Sequence, residues 1–260
     1  MLNITSYLSC VIIAILLTTS FITTTSQAAV SYPSGVVWDQ AHTSNFSTGR
    51  SGGVLDLVVI HTTEGSYSSA VSWFNNPAAN VSAHYVIDQD GSATQMVDSW
   101  NTAWTQTYVN SRALSFEMAG YANDPNTWVY CDHDAEYVAG AKNYKPNLYK
   151  LANIVAYFIE KTSGNGITYN IPNQHPTDVG YYYASNGPRL PSSVKGIVGH
   201  DQVQADQKTD PGQYFPWDDF MGMVDDYLDG TLPVFPSVPE PSAMLLLGFG
   251  SLGLLSRKRR

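Results

Sequence analysis

The stretch Leu55-Asp56-Leu57-Val58-Val59-Ile60-His61 decides the fold. It is a near-continuous apolar run, the pattern of a strand covered on both faces, and it ends in a histidine. Working outward, Gly196-Ile197-Val198-Gly199-His200 repeats the form, a short buried strand ending in imidazole, and residues 114–118 read as another. Tyr85-Val86-Ile87-Asp88, Gln89-Asp90-Gly91 and Thr94-Gln95-Met96-Val97 read as a hairpin with a glycine-containing turn. Residues 147–162 predict the longest helix, because Leu148, Leu151, Ala152, Val155, Phe158 and Ile159 share one face, and Gly164 can stop it. Residues 66–74 and 218–228 predict shorter helices. Strands interleaved with helices imply an α/β fold: a single domain at about residues 30–230, with a mixed central β-sheet flanked by helices.

Both ends of the chain read as addresses. Residues 1–29 carry no charged side chain and hold an apolar stretch, Tyr7 to Leu17, before Ser26-Gln27-Ala28-Ala29. Small residues at Ser26 and Ala28 fit a signal-peptidase site, although the usual Lys or Arg before the apolar stretch is missing. The strongly apolar residues 11–17 follow Cys10, the wrong order for a lipid attachment site. At the other end, residues 231–241 form a Pro-rich linker that finishes in Val238-Pro239-Glu240-Pro241. Residues 242–260 follow as a short apolar run and Arg257-Lys258-Arg259-Arg260. This arrangement resembles the PEP-CTERM sorting tail, a Pro-Glu-Pro box, a short membrane helix and a basic end. The resemblance implies export to the periplasm, cell surface or medium and removal of the tail by a sorting protease of the exosortase type. A weak membrane anchor is the alternative.

Charge narrows the partners. The sequence has 13 Lys and Arg against 22 Asp and Glu, a net charge of -9, and four of the bases occupy the last four positions. Such an acidic body repels phosphates, which argues against nucleic acid. Abundant Asn, Ser, Thr and Tyr suit a glycan or glycopeptide. Cys131 stands alone in the body, so no internal disulfide is available there, and it reads as a small, partly buried thiol.

The chemistry gathers at the strand ends. His61 and His200 each close a buried strand, and ten residues after His200 comes Lys208-Thr209-Asp210-Pro211-Gly212. Two imidazoles and a carboxylate make a three-ligand zinc set with a fourth position open for water, whose pKa would fall toward neutrality. The bland readings are a structural histidine at each strand end and an ordinary Asp-Pro-Gly turn. His42, His133 and His175 have no partner pattern and read as surface groups.

Further segments keep one order with these. His61-Thr62-Thr63-Glu64-Gly65, Val81-Ser82-Ala83-His84-Tyr85, Ala103-Trp104, Ser115-Phe116-Glu117, Gly199-His200-Asp201 and Lys208-Thr209-Asp210-Pro211-Gly212 follow one another from about Val54 to Trp217. Together they resemble the type 2 N-acetylmuramoyl-L-alanine amidases, the phage-lysozyme and peptidoglycan-recognition group. The resemblance implies a monomeric zinc hydrolase that cuts peptidoglycan between N-acetylmuramic acid and L-alanine. It implies one Zn2+ held by His61, His200 and Asp210. Lys208 matches the lysine that steadies the oxyanion, and Glu117 the glutamate that acts as general base. The alternatives are a solvated Lys208 and a Glu117 on the exposed face of an edge strand, since Ser115 and Glu117 alternate with Leu114, Phe116 and Met118.

Two positions depart from the family pattern. Ala83 stands where one branch has a catalytic tyrosine, which the presence of Glu117 makes tolerable. Thr105 follows Ala103-Trp104 where the family often has a histidine, which bears on substrate preference, including intact against anhydro-sugar fragments. His84 reads as a structural or cleft-lining group, because three ligands must leave an open position. The aromatic segment 121–144 and Tyr181-Tyr182-Tyr183 could line a cleft or simply pack. A binding-only module would have lost a ligand, whereas all three are present here.

Overall fold

The computed structural model describes residues 32–130, 143–184 and 187–232. The leader, Cys131, His133, the Pro-Glu-Pro box and the basic tail lie outside the described residues. The fold is built on a six-stranded mixed sheet. Its strands in chain order are β1 (Val36–Trp38), β2 (Leu57–Thr62), β3 (Tyr85–Ile87), β4 (Ala93–Gln95), β5 (Ala113–Met118) and β6 (Gly196–Gly199). They lie side by side as β1, β4, β3, β5, β2, β6. Within this sheet, among the described residues, the β3–β4 hairpin is the antiparallel pairing and the other four are parallel.

The expected hairpin forms, with Tyr85 opposite Gln95 and a left-handed Gly91 (φ 85°) in its turn. The helices are α1 (Tyr67–Phe74), α2 (Pro146–Glu160), α3 (His200–Val203) and α4 (Trp217–Leu228). Ser66 caps α1 by accepting the amide of Ser69, and Pro146 opens α2 where a missing N–H costs nothing. α2 ends at Glu160, short of Gly164, which instead sits in a small strand, Ser163–Gly164.

Period-two alternation gives the sheet two different faces. Val58 and Ile60 of β2 join Leu114, Phe116 and Met118 of β5 under α2 and α4, in the largest core cluster. Leu57 and Val59 point the other way, with Ala113, Val198 and Val203. On that second face Val86, Met96 and Phe74 form a further cluster beneath α1. His61 continues the Leu57–Val59 side, and Glu117 continues the Ala113–Ser115 side.

Two sequence expectations change, and one left open is decided in part. The run from Leu55 to His61 is not one strand, because Asp56 divides it. Val54–Leu55 pairs instead with Ile167–Tyr169 in a separate sheet, while Asp56 accepts a hydrogen bond from Arg112 Nε at 2.7 Å. His175 is not a free surface group: its ring stacks on Trp217 with centroids 3.7 Å apart, and Nδ1–H donates to the Ile197 carbonyl at 2.9 Å. Within the aromatic segment 121–144, Trp128 is wholly buried against Phe215, so this part of it packs and does not line a cleft. His42 is exposed, as expected.

Candidate metal centre

The ends of β2 and β6 meet because Val59 lies opposite Val198, and Ile60 opposite Gly199. His61 therefore emerges beside His200, the first residue of α3. A side chain at Gly199 is impossible here: its Cβ would lie 2.2 Å from Asp201 Oδ1 and 2.6 Å from Pro211 Cδ. The glycine lets the Asp210-Pro211 turn press against the strand end, where the Asp201 amide donates to the Asp210 carbonyl at 2.8 Å. Gly212, at φ 91°, fits against the Ala122 carbonyl, which a Cβ would approach to 2.0 Å. The two glycines explain why these short motifs flank His200 and Asp210.

His61 Nδ1 and His200 Nδ1 are 2.9 Å apart. Asp210 Oδ2 lies 3.3 Å from the first and 3.2 Å from the second. Zinc ligands at about 2.0–2.1 Å in a tetrahedral arrangement stand about 3.3 Å from one another, so this triangle has the size a zinc ion needs. The proton positions agree. His61 Nε2–H donates to Gln106 Oε1 at 3.2 Å, and His200 Nε2–H donates to Gln204 Oε1 at 2.7 Å. Each Nδ1 is then left with a lone pair aimed at the common point. Burial pushes the His61 imidazole down to about 4, partly offset by Asp210, so it is neutral at physiological pH, the form a metal requires. Burial raises the Asp210 carboxyl, but the adjoining His200 and His61 rings outweigh it and hold the group well below the usual carboxylate range.

One cavity of about 190 Å³ is lined by all five residues singled out in the sequence: His61, Glu117, His200, Lys208 and Asp210. Glu64, Phe74, Trp104 and Thr105 complete much of its wall. Glu117 lies directly opposite His61 in the β5–β2 register, on an interior strand and not on an edge. Burial pushes its carboxyl well above the ordinary glutamate range; the negative charges of Asp210 and Glu64 add to this and Lys208 opposes it. Lys208 is exposed on the rim, carried on the turn after α3. Thr105 donates to the Ser82 carbonyl and its hydroxyl also lies 2.8 Å from Ser115 Oγ, so it is engaged in the wall.

His84 is structural. It is fully buried, its Nε2 accepts from Arg50 Nη2 at 2.7 Å, and its Nδ1 faces Ser115 Oγ at 2.9 Å. Arg50 itself donates to the carbonyls of Ser99, Asn110, Ser111 and Ala113. Sequence reasoning missed Glu64, Gln106 and Gln204. Glu64 takes a left-handed backbone (φ 49°), and its Oε1 accepts from Thr62 Oγ1 and the Ala122 amide. Gln204 had a legible signal, since it stands one helical turn after His200. Gln106 had none.

Comparisons with known proteins identify the family. The N-acetylmuramoyl-L-alanine amidase family model matches residues 51–213, and the PEP-CTERM protein-sorting motif matches residues 237–260. N-acetylmuramoyl-L-alanine amidase A of Achromobacter lyticus is 30% identical over 190 residues, 72% of this chain and 92% of that protein. Among solved structures, an AmpD derivative aligns with a TM-score of 0.48 at 18% identity, covering 74% of this chain and 96% of that one. The endolysin amidase LysCS of Clostridium intestinale aligns at 0.44 and 16%, covering 75% and 98%. With its whole site inside the matched segment, the chain belongs to the N-acetylmuramoyl-L-alanine amidase family.

Proposed function

We propose that the protein is an exported zinc enzyme that hydrolyses the amide bond between N-acetylmuramic acid and L-alanine in peptidoglycan. The observation that carries this reading is the single cavity in which three converging ligand atoms share space with a carboxylate and an ammonium group. His61, His200 and Asp210 would hold the ion. Bound there, zinc supplies Lewis acidity that polarises the scissile carbonyl and brings the pKa of water toward neutrality.

The protein's own groups do the rest. Glu117 faces the cavity from the strand beside His61 and takes a proton from the attacking water. Its raised pKa suits a group that must accept a proton and then give it up, here to the alanine nitrogen as the amide breaks. Lys208 places a positive charge on the rim, where negative charge develops on the carbonyl oxygen. Phe74 and Trp104 offer apolar wall for the glycopeptide.

The sorting motif implies export and delivery to the cell envelope. In the proposed precursor, residues 1–29 are a signal peptide, 30–230 the catalytic domain, and the tail a substrate for an exosortase-type protease. The test is metal removal and return. Chelator-treated protein should lose peptidoglycan hydrolysis, and stoichiometric zinc should restore it. The Asp210→Asn variant should not be rescued. Full activity after verified removal of zinc would refute the proposal.

A further inference from the structure

The two glutamines behind the histidines occupy unrelated parts of the chain, yet they do the same thing. Gln106 is fully buried between the short strand Thr102–Ala103 and a 3-10 helix, its amide held by Asn110 Oδ1 at 2.8 Å. Gln204 ends α3, its amide bonded to the His200 carbonyl at 2.9 Å. Each gives its carboxamide oxygen to one imidazole Nε2–H. Gln204 Nε2 goes on to Gln207 Oε1 at 3.3 Å, whereas the buried Gln106 Nε2 has no partner among the described residues. An unpaired buried donor is costly, and a residue present only to fill space would be apolar. Gln106 is therefore placed for its oxygen.

The chemistry of these partners is distinctive because they are neutral. A carboxylate is the stronger acceptor for an imidazole N–H and makes the ring a better donor to a metal. Carboxylates stand close by, but none takes this place. Glu64 Oε1 is bound to Thr62 and Ala122, and Asp201 Oδ1 to the amide of Gln202. With neutral partners, the only negative charge among the three ligands is that of Asp210.

Resting on the zinc reading above, we propose that Gln106 and Gln204 are positioning residues that fix both imidazoles with Nδ1 toward the ion and, by staying neutral, preserve its Lewis acidity at the expense of affinity. The outcome is a split that a merely structural role does not produce. Gln204→Glu should bind zinc roughly tenfold more tightly, yet the zinc-saturated enzyme should show a kcat lowered by about tenfold with KM little changed. Gln204→Leu should weaken zinc binding by about 10- to 100-fold. Gln106→Glu and Gln106→Leu should follow the same pattern.

The experiment measures zinc affinity by competition with a chromogenic chelator. It adds kcat and KM on a soluble muropeptide at saturating zinc, and the visible spectrum of the cobalt-loaded protein as a reporter of ligand geometry. Gln204 is only partly buried, so its variants keep the test open where Gln106→Glu fails to fold. Gln204→Glu binding zinc no more tightly than wild type, or binding it more tightly with an unchanged kcat, overturns the inference alone. Wild-type protein that takes up no zinc overturns the metal centre itself, and this inference with it.

Discussion

Glu117→Gln separates the chemistry of the site from its architecture. The change is isosteric and lies on an interior strand, so the register that sets Glu117 opposite His61 should persist. Zinc uptake should therefore match wild type. A general base is worth about 10²- to 10⁴-fold in rate. The surroundings place this variant in the upper half of that range, because no other carboxylate in the cavity is free to substitute. Asp210 belongs to the ligand triangle, and Glu64 Oε1 is held by Thr62 and Ala122. A loss of about 10³- to 10⁴-fold in kcat is expected, or about 4–5.5 kcal/mol of transition-state stabilisation.

Stability should move the other way. Burial raises the Glu117 carboxyl, so the native state holds this proton more tightly than the unfolded chain does. Its contribution is then most favourable below the ordinary glutamate range and is lost as pH rises through the elevated native value. In chelator-treated protein the variant's Tm should match wild type near pH 4 and exceed it at pH 7. The assay is muropeptide hydrolysis at saturating zinc, with thermal melts at both pH values. Loss of less than tenfold in kcat, with normal zinc content, would refute the role given to Glu117.

Other perturbations address separate parts of the account. Lys208→Met should lower kcat by about 10²- to 10³-fold at nearly constant KM. Because Lys208 is exposed, the melt should shift by no more than about 0.5 kcal/mol. Arg50→Met strips the donor from four carbonyls and His84, and denaturant titration should show a loss of about 3–5 kcal/mol. Zinc at a hundredfold excess over its dissociation constant should stabilise the fold by about 2.7 kcal/mol, raising Tm by roughly 5–10 °C, and His61→Ala should abolish that shift.

The sheet and its helices were legible wherever local pattern carried enough residues. The apolar run ending in His61, the Gly91 hairpin and the α2 face each repeat a period long enough to read. The three-residue strand β1 and the sheet joining Val54–Leu55 to Ile167–Tyr169 were not, because two or three residues show no period and their pairing is set by tertiary contacts. The five candidate side chains were legible as a resemblance, and the structure places them in one cavity. What sequence could not supply was the setting of each. Glu117 opposite His61 depends on β5 lying between β2 and β3, a matter of strand order. Gln106 reaches His61 across 45 residues of chain, and no spacing rule links them. His175 looked solitary because its partner is a ring, Trp217, that only the packing of α4 brings near.

The most direct test is digestion of purified peptidoglycan by the zinc-loaded protein, with the soluble products read by mass spectrometry. The account expects free stem peptides that begin with alanine, alongside glycan strands whose muramic acid carries an intact lactyl carboxylate. Products cut between sugars or within the stem peptide, or wall that binds the protein and releases nothing, would contradict it.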